Sequence, residues 1–244
     1  MKKTLLILTG HSKGLGRAIL DRFLDAEGTE IIAISRTALG LKRANLREIQ
    51  LDLADLESLG IRLPDIFPVG DFERFVLINN AGWIGEIKPV GKLDPGHISK
   101  LMNLNLLAPM ILTDAFAKAY FPLSAEKLVC NISSGAAYKP MPGWAEYCSS
   151  KAALAMFSKV AAEDLAKNGV RVFSLAPGIV DTEMQAEIRT AALEDFPALA
   201  RFENFKREGS LSPPEMVADK VFYLVSHSER FSDVVQDVRD FELP

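Results

Sequence analysis

The chain has 244 residues, 48% of them hydrophobic and 25% charged, and its 28 basic residues against 32 acidic ones leave a net charge of −4. This is ordinary globular composition, which excludes disorder, collagen-like repeats and a disulfide-stapled miniprotein. It also offers no polyanion-binding surface, so no nucleic-acid partner is expected.

The first apolar run, Thr4–Thr9, follows Met1-Lys2-Lys3 and is too short for the core of a signal peptide. It predicts a buried first strand, and no run nears the ~18 residues of a membrane span. Further strands are expected at Glu30–Ser35, Arg47–Leu51, Phe75–Asn79, Lys127–Ser133, Val170–Leu175 and Val234–Val238. Helices are expected near Leu15–Glu27, His97–Tyr120, Ala145–Lys167, Thr182–Ala192 and Pro214–Ser226. Asp65–Asp71, beside Pro64 and Pro68, reads as a connecting loop. Strands apolar on both faces, alternating with helices, predict an α/β fold: a doubly wound parallel sheet in one domain over 1–244. The stretch from about 185 to 213 breaks the alternation and reads as a helical excursion over a pocket, with Phe196, Phe202 and Phe205 among charges.

Between the first strand and first helix lies Thr9-Gly10-His11-Ser12-Lys13-Gly14-Leu15-Gly16. Its glycines suit a tight turn that brings backbone N–H groups and a helix N-terminus to a pyrophosphate. A dinucleotide with a free 2′-hydroxyl is usually held by an acid about 20 residues further on. Here that place reads Ser35-Arg36. Arg36 and Lys13, with no carboxylate, suit the 2′-phosphate of NADPH; the plain alternative is two solvated surface cations. Tyr147 and Lys151 are one helical turn apart on one face. A phenol titrates at about 10, and a nearby ammonium favours its ionised form.

The chain resembles the short-chain dehydrogenase/reductase family from Thr4 to about Val238. The resemblance rests on the glycine turn, Asp52-Leu53, Asn79-Asn80-Ala81-Gly82, Asn105, Asn131-Ile132-Ser133-Ser134, Tyr147-Cys148-Ser149-Ser150-Lys151 and Pro177-Gly178-Ile179-Val180-Asp181-Thr182. Asn105-Leu106-Leu107-Ala108-Pro109-Met110, Asp181-Thr182-Glu183-Met184-Gln185 and Leu211-Ser212-Pro213 resemble its sepiapterin reductase branch, which includes bacterial benzil reductases.

This resemblance implies an NADPH-dependent carbonyl reductase with Tyr147 as proton donor and Lys151 holding the nicotinamide ribose. Ser134, three residues past Asn131, would hold the substrate carbonyl, and Asn105 would order a water leading to Lys151. Gly10, Ser12, Lys13, Gly14, Leu15, Gly16 and Arg36 would face the cofactor phosphates. Asp52 and Leu53 would flank adenine, and Asn80, Ala81 and Gly82 its ribose. Pro177, Gly178, Val180 and Thr182 would border the nicotinamide. Trp144, Trp83, Met184 and the three phenylalanines are candidates for an apolar substrate wall, with Met141 and Pro142 at its rim. Asp240 or Glu242 is a candidate carboxylate for a pterin. Cys130 and Cys148 read as packing thiols of a cytoplasmic chain, and His11, His97 and His227 as forming neither pair nor metal site. The resemblance further implies a homodimer or homotetramer through the helices at His97–Tyr120 and Ala145–Lys167. The substrate expected is a small-molecule ketone, an α-diketone or a pterin-like one. The alternatives are a silent NADPH-binding regulator and an NAD-linked alcohol dehydrogenase.

Overall fold

A computed structural model describes Lys2 to Pro244. Strand β1 (Thr4–Thr9) is buried at every position and lies inside the sheet. On one side it pairs in parallel with β2 (Thr29–Ser35), which pairs with β3 (Leu46–Gln50). On the other follow β4 (Arg74–Asn79), β5 (Glu126–Ile132), β6 (Val170–Ala176) and the short β7 (Val235–Asp237). The order is β3-β2-β1-β4-β5-β6-β7, every pairing parallel. The chain reverses its winding between β1 and β4, and ligands of such sheets bind at that switch point, outside the carboxyl ends of the strands.

Alternation along β1 divides the core. Leu6 and Leu8 pack with Ile19, Leu20 and Phe23 of α1 (Gly14–Leu24) and with Val221 and Leu224 of α8 (Pro214–Ser226). Leu5 and Ile7 point the other way, to Leu112, Phe116 and Tyr120 of α4 (Ala108–Tyr120). Each such side chain removed from water contributes about 1.5–3 kcal/mol, which the two-residue period of a strand distributes to both layers. The remaining helices are α2 (Leu56–Ile66), α3 (Pro95–Met102), α5 (Ala145–Ala166), α6 (Glu183–Ile188) and α7 (Leu199–Arg207). Among the described residues no helix is long and apolar enough to cross a membrane.

Three expectations need correction. Asp65–Asp71 is not wholly loop, because α2 runs to Ile66 with Pro64 inside it. Asp55 caps this helix by accepting the Ser58 N–H, and Leu59 and Ile66 are buried. The expected helix His97–Tyr120 is α3 and α4 joined by a π-helical turn, Asn103–Leu107. Such turns widen a helix and redirect a side chain. The Thr182–Ala192 helix stops at Ile188, and the excursion continues through α7. It is tied back where the Asp181 N–H donates to the Ser212 carbonyl and the Ser212 N–H to that of Ile179, both at 2.9 Å.

Candidate active site

The glycine turn leaves β1 at its carboxyl end. Gly10 has φ of +72°, and a Cβ there would come within 2.8 Å of Ala81 Cα. A Cβ on Gly16 would overlap the Gly10 carbonyl oxygen. Both positions therefore need glycine, one for its conformation and one for close packing. The Thr9 hydroxyl accepts from the N–H groups of Asn80 and Ala81 at 2.9 and 3.0 Å, and the Asn80 amide donates to the Thr9 and Gly10 carbonyls. The two strand ends at the switch point are thus tied together. Helix α1 starts at Gly14 with no side-chain cap on its N-terminus. Its first N–H groups are left for an anion.

A cavity of about 420 Å³ extends from this turn. Gly10, Ser12, Lys13, Gly14, Leu15, Gly16, Arg36, Asp52 and Leu53 line it at one end, and Ser134, Trp144, Tyr147, Lys151 and Met184 at the other. Asn80, Ala81, Gly82, Pro177, Gly178, Val180 and Thr182 lie along its walls. The structure therefore gathers every expected cofactor residue around one space. Arg36 is exposed and makes no ion pair among the described residues. Lys13 is different: its ammonium pairs with Glu183 at the start of α6. Both partners are exposed, so the pair is weak and readily exchanged.

Tyr147 and Lys151 project from the first turns of α5 and are 7% and 4% exposed. Lys151 Nζ donates to the Ile132 carbonyl at 2.8 Å and lies 5.9 Å from the Tyr147 ring centre. Burial pulls its pKa down to about 8. The expected lowering of the Tyr147 pKa by this ammonium is not what the structure gives. Burial pushes the phenol up to about 12, against the opposing hydrogen bond of the Ser134 hydroxyl, and Cys148 adds to the rise. The phenol is neutral and holds its proton at neutral pH. Strand β5 ends at Ile132, and Ser134 caps the short 3₁₀ turn Gly135–Ala137, its Oγ accepting the Ala136 N–H at 3.1 Å. One lone pair is thereby used, and the hydroxyl hydrogen is left to donate.

Asn105 lies in the π turn and is fully buried. Its amide donates to the Trp83 carbonyl at 2.8 Å and accepts the Trp83 N–H at 2.9 Å. It also donates to Ser150 Oγ at 3.2 Å, which ties α5 to the segment after β4. Asn131, which marked the position of Ser134 in the sequence, is structural: it accepts from Asn79 and donates to Ser158.

The aromatic wall is arranged differently from expectation. Phe196 stacks on Trp144 with ring centres 5.3 Å apart, and Phe202 leans on both. Trp144 meets the Tyr147 ring edge-on at 5.6 Å. Trp144 and Met184 line the cavity, but Trp83, Met141 and the three phenylalanines pack behind it. The phenylalanines form the core of the excursion and brace Trp144. Gln185, Ile188 and Ile84 also line the cavity and were not singled out in the sequence. Only the helical register of α6 beside Met184 hinted at the first two. The C-terminal candidates Asp240 and Glu242 do not line the cavity; Glu242 pairs with Lys220. Two histidines meet carboxylates: His11 Nε2 lies 2.7 Å from Glu48 and His97 Nδ1 2.9 Å from Glu86.

A doubly wound parallel sheet, an uncapped glycine turn at its switch point and a buried tyrosine and lysine across the cavity define an α/β protein of the nucleotide-binding kind. The family model for short chain dehydrogenases matches residues 4–193, and the chain belongs to that family. It is 36% identical to a benzil reductase ((S)-benzoin forming) of Bacillus subtilis (strain 168), over 97% of this chain and 99% of the relative. It is 40% identical to one of Bacillus cereus, over 92% and 94%. A sepiapterin reductase of Xenopus tropicalis is 32% identical, over 91% and 90%. Among solved structures, a 4-hydroxyisoleucine dehydrogenase mutant complexed with NADH and succinate superposes with a TM-score of 0.80, at 26% identity over 96% of each chain. A putative NAD(P) dependent gluconate 5-dehydrogenase of Beutenbergia cavernae with bound NADP gives 0.81, at 27% identity over 96% of this chain and 94% of that one. The protein is an oxidoreductase of this family, and its fold binds nicotinamide cofactors.

Proposed function

We propose that the protein reduces a ketone with NADPH, the substrate being an α-diketone such as benzil or a pterin-like diketone such as sepiapterin. The observation that carries the reading is the neutral, buried phenol of Tyr147 beside Ser134, in a cavity whose far end presents an unpaired Arg36. NADPH supplies the hydride when bound. Tyr147 gives its proton to the carbonyl oxygen as negative charge develops there, and the Ser134 hydroxyl holds that oxygen. Lys151 holds the nicotinamide ribose, and Asn105 orders a water leading to Lys151. The N–H groups from Ser12 to Gly16 receive the pyrophosphate. Asp52 and Leu53 flank adenine, and Asn80, Ala81 and Gly82 its ribose. Pro177, Gly178, Val180 and Thr182 border the nicotinamide. Arg36 takes the 2′-phosphate, joined by Lys13 when it leaves Glu183. Trp144 and Met184 offer the apolar face that an aromatic or bicyclic ketone requires. The reading places the enzyme in the cytoplasm as a homodimer or homotetramer joined through α4 and α5, where Met156 and Val160 are exposed.

The test is a panel of aromatic diketones, aliphatic diketones, simple ketones and pterins, each with NADPH and with NADH. Oxidation of NADPH in preference to NADH by a diketone or pterin supports the reading. Tight NADPH binding with no turnover across the panel replaces it with a binding protein that does no chemistry.

A further inference from the structure

The loop after β2 carries Arg36 and Thr37 to the cavity, yet belongs to no helix or strand. Two residues of β3 hold it. The Gln50 amide donates to the Arg36 carbonyl at 3.0 Å. Two positions earlier, on the same face of the strand, the Glu48 carboxylate accepts the N–H groups of Leu39, Gly40 and Leu41 at 2.7, 2.8 and 3.2 Å. The same carboxylate meets Nε2 of His11 at 2.7 Å. His11 is a member of the glycine turn and is completely buried, with its Nδ1 left without a partner. Such an orphaned nitrogen costs stability, so His11 is poorly explained as a stabilising residue alone. Burial pushes the Glu48 carboxyl upward, but the hydrogen bonds from Leu39, His11, Leu41 and Gly40 outweigh it and hold the group below the usual range. Glu48 is therefore an anion at neutral pH. It is spent on three amide dipoles and a histidine, and it does not pair with the guanidinium of Arg36.

We propose that Glu48 and His11, with Gln50 holding Arg36 directly, are positioning residues that lock the Arg36 loop onto the glycine turn, so that the sites for the pyrophosphate and the 2′-phosphate are held in one fixed relation. This rests on the NADPH reading above. They act mainly on the phosphorylated cofactor, because its 2′-phosphate engages the Arg36 guanidinium, whereas the loop carries no acid to hold the 2′-hydroxyl of NADH. A residue that merely stabilised the fold would affect both cofactors alike.

The experiment is a fluorescence titration of NADPH and NADH with the wild-type protein and with the Glu48→Gln, His11→Gln and Gln50→Ala variants. Loss of a charge-assisted hydrogen-bond network predicts that Glu48→Gln and His11→Gln each weaken NADPH roughly tenfold and NADH less than about twofold. Gln50→Ala, on the exposed edge of β3, is expected to weaken NADPH selectively by about threefold, and it decides the matter if the buried variants do not fold. Equal weakening of both cofactors, or unchanged selectivity, overturns the proposal. A wild-type protein that binds NADH as tightly as NADPH overturns the NADPH reading itself, before any variant is made.

Discussion

Replacing Lys151 by methionine should stabilise the fold while abolishing turnover. The ammonium is buried, and its pKa falls from 10.5 to about 8. At ~1.4 kcal/mol for each pH unit between those values, keeping it charged costs the folded state about 3 kcal/mol below pH 8. The folded state holds this proton less firmly than the unfolded chain does. The cost is therefore fully present below pH 8 and is relieved as pH rises toward 10.5. Methionine fills a similar volume without charge but leaves the Ile132 carbonyl without its donor, an offset of about 1–2 kcal/mol. The net gain of about 1–2 kcal/mol corresponds to a Tm about 3–6 °C higher at pH 7 for a chain of this size. Calorimetry of both proteins without cofactor, at pH 7 and pH 10, reads the gap directly, and it should shrink at the higher pH. A variant that melts below wild type at pH 7, or a gap indifferent to pH, would refute the reasoning.

Arg36→Asp should move cofactor preference from NADPH toward NADH by about 10–100-fold in kcat/KM, since it removes a charge-assisted contact and adds a repulsive carboxylate; an unchanged ratio would locate the 2′-phosphate elsewhere. Phe196→Ala should cost about 3–5 kcal/mol, because Phe196 is fully buried against Trp144. It should also raise the KM for the ketone while the Kd for NADPH stays put. An unmoved ketone KM in a destabilised variant would separate the excursion from the substrate.

Much of this architecture is legible in the residues. Central strands of a parallel sheet are apolar on both faces, so β1, β4 and β5 declare themselves within a residue or two. The glycines of the first turn announce close backbone approach, which Gly10 and Gly16 require. Helix α2 is hidden because Pro64 inside it and Pro68 just past its end read like a loop, while its signals, the Asp55 cap and the buried Leu59 and Ile66, are modest. The π turn leaves no trace, because the apolar pattern of Leu101, Leu104 and Leu112 continues through it. What pairs across long sequence separations was illegible. Nothing local tells that His11 meets Glu48, that Lys13 meets Glu183, or that Phe196 braces Trp144 and does not line the cavity. The Tyr147–Lys151 spacing was plain, but the phenol's electrostatics depend on burial, which outweighs the Ser134 hydrogen bond and keeps it protonated.

The central claim, that this phenol delivers the proton, is tested most directly by the turnover of Tyr147→Phe with a diketone that the wild-type enzyme reduces. Removing a general acid should lower kcat by about 10²–10⁴-fold while NADPH binding, followed by fluorescence, stays within about twofold. A variant that turns over at the wild-type rate would contradict the account.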